Sequence, residues 1–325
     1  MPENTNTKIH LLPPSDDGVF KALMTRSASA DAPEAREVLK DLIGSILGCK
    51  IVQITLVASE LPIDVKNDKL ERFDVLCRTD KGKLINVEMQ ARPMGGDSSN
   101  NFFISIKTRS VYYVCDLHSS QPTKGIPYEL IPKTYQIMIC GFSVFGAESK
   151  LVDKYTFRNE KGRELTDVVN CVFVDLTFLD KILKKSVSEM SPVEMWTAFL
   201  GGAHKEKYRA KIKEITNNRK EIAMADMILH EISMDENEWY HYKMRQKWLK
   251  DQEHNMIAAR EEGIEAGKKE AREEAILKDI DVAVNAIKQW GFSLDDAIKL
   301  VKLDQEHKNR LISELQKQGV VYSES

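Results

Sequence analysis

Residues 71–92, ERFDVLCRTDKGKLINVEMQAR, bring together types and spacings that suit phosphodiester chemistry: Asp74, then Glu88 after thirteen intervening residues, then Gln90. Two carboxylates held side by side offer hard oxygen ligands for an octahedral Mg2+ completed by waters and a phosphate oxygen, with Mn2+ as an alternative ion. Such an ion polarises the scissile phosphate and lowers the pKa of a bound water, giving a nucleophile near neutral pH. Gln90 contributes an amide, which orients water or donates a hydrogen bond but cannot supply a lysine's positive charge. Arg92, two residues on, could provide that charge.

A β-hairpin is the element that would bring these groups together. Thr79-Asp80-Lys81-Gly82 has turn chemistry, Gly82 being able to take a positive φ. Pairing centred on Lys81 sets Phe73 opposite Met89, Val75 opposite Val87 and Cys77 opposite Ile85, all on one face. The same register sets Asp74 across from Glu88. A slip of one residue would break the apolar pairing and part the acids. The plain alternative is that both acids sit on the solvent side of a half-exposed hairpin. Against it, like charges directly opposite one another destabilise a sheet, so something must compensate them.

Around the hairpin the chain reads as α/β. Residues 1–14 are polar with Pro13-Pro14 and are expected to be disordered or extended. Helices are expected over DGVFKALMT, over about 33–47, and over NFFISIKTRSVYYVCDL behind the glycine-rich loop 94–101. Further strands are expected at about 51–58, 133–142 and 171–176, with a weaker signal at 152–158. This order implies a mixed sheet flanked by helices. Strand signals stop after about residue 192, and an all-helical C-terminal region follows. It contains a basic run at 204–220, a charged segment with the glycine-interrupted EEGIEAG, and a tail punctuated by Gly291, Ser293, Asp304 and Gly319. The expected organisation is a disordered 1–14, an α/β domain 15–203, a charged, solvated helical extension 204–278 and a three-helix unit 279–325.

Composition bounds the function. With 325 residues, 42% hydrophobic and 30% charged, the chain has the make-up of a globular protein. A net charge of −3 argues against a uniformly basic nucleic-acid coat while leaving room for a local basic groove. Five scattered cysteines without a CxxC pair fit neither a zinc knuckle nor a disulfide framework, and seven histidines show no HExxH spacing. No apolar run approaches a membrane span and no signal sequence is visible, so a cytoplasmic location is expected.

The hairpin FDVLCRTDKGKLINVEMQ, the upstream DDGVFKALM, the downstream RSVYYVCDL and KGIPYELIPKTYQIMICGF, and the tail Arg245, Lys247 and Asp251 followed by AREEGIEAG together resemble the PD-(D/E)XK nuclease family transposases. This group includes the recombination-promoting nuclease (Rpn)-type proteins. The resemblance covers about residues 15–280. It implies a restriction-endonuclease-like fold and Mg2+-dependent hydrolysis of DNA, associated with recombination or mobile elements. Asp74 and Glu88 become metal ligands, and Gln90 takes the place of the superfamily lysine. The D-x-x-F-K element falls on Asp17, Phe20 and Lys21, adding Asp17 as a further acid and Lys21 as a phosphate-steadying cation. Arg109 and Tyr112, with Arg92, are placed near the DNA backbone. Phe73 stands where the superfamily name has proline. The absent lysine keeps open a degenerate nuclease fold that binds DNA without cutting. A protein-interaction module built on the charged tail would need no metal. For the terminal helices, self-association or partner docking is favoured over DNA reading, because their exposed residues are of mixed charge.

Overall fold

The hairpin forms in the expected register. A computed structural model of the protein describes residues 10–26, 36–57, 74–92, 100–121 and 125–324. In chain order the elements are α1 (Asp17–Arg26), α2 (Arg36–Leu47), β1 (Ile54–Leu56), β2 (Val75–Thr79), β3 (Leu84–Gln90), α3 (Asn100–Ser119), β4 (Thr134–Cys140), β5 (Val152–Arg158) and β6 (Glu164–Asp175). Helices follow: α4 (Leu179–Ile182), α5 (Pro192–Gly202), α6 (Arg209–Asn218), α7 (Lys220–Met234), α8 (Glu236–Trp290), α9 (Leu294–Val301) and α10 (Gln305–Lys317).

Val75 pairs with Val87 and Cys77 with Ile85 across β2 and β3. The turn between them closes through the Gly82 N–H donating to Thr79 O at 2.9 Å, with Gly82 at φ 73°. Phe73 and the loop 94–99 lie outside the described residues. The six strands form one mixed sheet in the order β1-β2-β3-β4-β6-β5. β3, β4 and β6 run parallel to their neighbours in this group, and the outer pairings are antiparallel. A parallel neighbour requires a crossover, and α3 supplies the one from β3 to β4.

Helices cover both sheet faces. Val75, Cys77, Ile85, Val87, Met89, Ile137 and Ile139 pack with α1, α2, α5, α6 and α7 in the main core. On the other face Ile106 and Val114 of α3 pack on Met138, Cys140 and Phe173, while Leu117 meets Leu76 and Leu84. β3 is therefore buried from Leu84 through Met89, as expected of a strand with cover on both sides. Asp41 ties α2 into this layer, accepting from Arg219 Nε at 2.8 Å and from the Trp196 indole N–H at 2.7 Å.

The chain divides into two compact units, Met1–Lys250 and Asp251–Ser325. The first runs past residue 203, where the strand signals had already stopped, because α6 and α7 bury Ile212, Ile215, Ile222, Leu229 and Ile232 in the core of the sheet. Of the N-terminal segment, residues 10–14 pack in order: Leu12 is buried, and its N–H donates to Ser233 Oγ at 3.0 Å. In the second unit, Ile280, Val284, Ile287, Leu294, Leu311 and Leu315 form a small core. Ser293 and Asp304 cap α9 and α10. Residues 251–275 of α8 are exposed, and the helix passes through Gly263 and Gly267 without a break. Among the described residues no helix is long and apolar enough to cross a membrane.

Candidate active site

The acid face of the hairpin is an interior face. Glu88 is 5% exposed, and it lies on the side of the sheet that α3 covers. The register Val75 to Val87, continued by one step, sets Asp74 against Glu88. Asp74 stands one residue before β2, and its Oδ2 accepts the Met89 N–H at 3.1 Å. The cost expected of facing acids is visible in its titration: burial, then the Glu88 charge, lift the Asp74 carboxyl to about 6. A solvent-facing hairpin would show neither the burial nor the shift.

A third acid joins them from α1. Asp17 opens that helix, and its Oδ1 accepts the Ala91 N–H at 3.2 Å, just beyond the end of β3. Burial lifts its carboxyl to about 6, with the Asp74 and Asp16 charges adding to the rise. Its neighbour Asp16 faces elsewhere. Asp16 accepts from Arg245 Nη1 at 2.5 Å and from Gln246 Nε2 at 2.8 Å on α8, and from the Gly18 N–H at 3.2 Å. Gly18 leaves room for this contact, since a Cβ there would fall 1.7 Å from Arg245 Nη1 and the guanidinium would have to move aside. The first turn of α1 is thus clamped from outside while presenting Asp17 inward. The sequence marks Arg245 only as part of the tail motif and gives no sign of its pairing with Asp16.

Two cations reach the acids. Lys21, one turn along α1, and Arg109 of α3 both draw the Asp74 carboxyl down against the other influences. Arg109 lies over the Tyr113 ring at 5.9 Å, and its buried Nε lacks a hydrogen-bond partner among the described residues. Tyr112 is 58% exposed and meets Tyr113 edge-on. The next residue round the helix is the one beneath the guanidinium. Gln90 ends β3 on the same face as Glu88, paired with Cys140 of β4. Arg92 does not extend that face. It is exposed beyond the strand's end, and its charge acts on Tyr242 of α8. Lys247 and Asp251 are exposed on α8.

Sequence reading also missed what stands behind Glu88. Asn86 and Gln136, both fully buried, join it in a hydrogen-bonded chain: Asn86 Nδ2 donates to Glu88 Oε1 at 2.8 Å and to Gln136 Oε1 at 2.9 Å.

The donor set fits a divalent cation of the Mg2+ type. Asp74 and Glu88 are hard oxygen donors with raised proton affinity at Asp74, the condition a cation relieves. Among the described residues no group of three or more His, Cys, Asp or Glu side chains is arranged to hold a metal alone. Two protein carboxylates with the remaining positions left to water and phosphate oxygens is how Mg2+ is commonly held.

A mixed sheet clad by helices on both faces, with acids gathered where the hairpin meets α1 and α3, defines the class: a PD-(D/E)XK nuclease-like fold. The chain belongs to the PD-(D/E)XK nuclease family transposases, whose family model matches residues 14–259. Comparison with curated proteins and with solved structures found no match.

Proposed function

We propose that this protein is a Mg2+-dependent endonuclease that hydrolyses DNA phosphodiester bonds, acting in recombination or on mobile elements. Membership of the family makes it a relative of nucleases associated with mobile elements. The observation that carries the finer reading is the half-buried Asp74 set against the buried Glu88, on a sheet face where a purely structural strand would place apolar residues. Asp74 and Glu88 would hold the ion, with Asp17 as a further acid at its edge. When bound, the ion polarises the scissile phosphate and acidifies a water. Gln90 orients that water through its amide. Lys21 and Arg109 steady the phosphate, and the exposed Tyr112 and Arg92 meet the DNA backbone further out.

Gln90 favours a second reading, in which the fold binds DNA or a protein partner without turnover, since an amide cannot take over a lysine's charge. A supercoiled plasmid incubated with Mg2+ separates the two. Conversion to nicked or linear product by the wild type, lost in Asp74→Ala and in Glu88→Ala, supports hydrolysis. DNA binding without cutting supports the second reading and removes the first.

A further inference from the structure

Asn86 and Gln136 have no part in the chemistry proposed above, yet both are fully buried in the middle of a sheet. Their row runs Leu76, Asn86, Gln136, Cys171 across four strands, where apolar side chains would pack without needing partners. Instead the two amides form a directed chain. Gln136 Nε2 donates to Met138 Sδ at 3.1 Å, which turns its Oε1 toward β3. Asn86 Nδ2 then donates to that Oε1 at 2.9 Å and to Glu88 Oε1 at 2.8 Å. A flipped Asn86 would set its oxygen against two acceptor oxygens, so the orientation is fixed by its neighbours. The arrangement leaves Asn86 Oδ1 buried without a partner. Fold stability alone gives no reason to keep an amide that is half satisfied.

We propose that Asn86, braced by Gln136, is a positioning residue that fixes the rotation of the Glu88 carboxylate for a divalent cation. The inference rests on the reading of Asp74 and Glu88 as cation ligands. Asn86 is wholly enclosed, so it acts through Glu88 and touches neither solvent nor nucleic acid. Hydrogen bonds of this kind to a ligating carboxylate restrict it to the geometry the ion needs, and their removal typically weakens metal binding about 10- to 100-fold.

Calorimetric titration of the full chain with Mn2+ tests this directly. Asn86→Leu is expected to fold and to lose affinity about 10- to 100-fold, with a lowered metal-free melting temperature because Glu88 Oε1 and Gln136 Oε1 lose their donor. Gln136→Leu, two shells from the ion, is expected to lose less, and the double variant no more than Asn86→Leu alone. Wild-type affinity in a folded Asn86→Leu overturns the proposal. Should that variant not fold, wild-type affinity in Gln136→Leu overturns the brace on which the proposal depends. Mn2+ binding that depends on Asp74 but is indifferent to Asn86 and Gln136 sinks this inference alone. Absence of Mn2+ binding in the wild type sinks the cation reading with it. Binding that is sensitive to Asn86 in a protein that cuts no DNA leaves the positioning role standing and removes the nuclease.

Discussion

Asp74 Oδ2 takes a hydrogen bond from the Met89 N–H at 3.1 Å, so the first acid is fastened to the peptide that follows the second. The spacing between the carboxylates is thereby set by the hairpin's own backbone. Repulsion cannot be relieved by one side chain swinging away without abandoning that bond.

The sign of the pH dependence follows. Burial lifts Asp17 and Asp74 to about 6 in the folded protein, above an unfolded value of about 4. Their contribution to stability is complete below the unfolded value and is lost as pH rises through about 6. The metal-free protein should lose this part of its thermal stability between about pH 4 and pH 6.5 and stay level to pH 7.5, and Asp74→Asn should flatten the decline. Mg2+ should restore stability at pH 7.5 and do little at pH 5, where protons compete for the same oxygens. Scanning fluorimetry with EDTA or Mg2+ across this range checks it, and identical profiles for wild type and Asp74→Asn would refute it.

Gly18→Ala should cripple the clamp on α1 without altering any acid. The added methyl displaces the Arg245 guanidinium and leaves Asp16, which is 5% exposed, to Gln246 and the N–H groups of Gly18 and Val19 alone. Breaking a buried pair costs about 3–5 kcal/mol. Arg245 is one-third exposed, and roughly 2–3 kcal/mol is the corresponding expectation. Urea unfolding should show the same loss for Arg245→Ala, and an Asp16→Asn/Arg245→Met pair should recover part of it.

Gln90 can be judged by two substitutions of opposite sense. Gln90→Ala should slow single-turnover cutting roughly 10- to 100-fold if its amide orients the attacking water. Gln90→Lys should cut faster than wild type. Unchanged rates in both would exclude Gln90 from the chemistry.

Gly263 and Gly267 lie in the exposed stretch of α8, and nothing stands within 4 Å of where a Cβ would be at either. Replacing each by alanine should stabilise the helix by about 1 kcal/mol, read as greater amide protection over residues 255–278 by hydrogen exchange. A loss of protection would mean that another molecule approaches the helix at these positions.

Much of the hairpin was legible because strand side chains alternate with a period of two, so Val75, Cys77, Ile85, Val87 and the turn glycine fix the register between them. The burial of the opposite face was not. Alternating polar residues look the same whether water or a helix covers them, and only the placement of α3 decides. Asn86 and Gln136 were hidden for a related reason: the parallel register of β3 on β4 spans 50 residues and leaves no local trace. The first half of β6, with Glu164 and Asp167, lacks an apolar run, so that strand read as 171–176 and proved to be Glu164–Asp175. The charged, solvated helix around EEGIEAG was legible from its i,i+4 charge pairs: its glycines break an apolar seam, but a helix tolerates isolated glycines at a modest cost and α8 continues through them.

The helix that carries Asp17 is anchored by Arg245, which a ribosome adds 229 positions after Asp16. On the nuclease reading, a nascent chain carries its acids long before it can hold them together. The enzyme would stay inert beside nucleic acid until the last helix of its first unit had emerged and docked, and be armed only then.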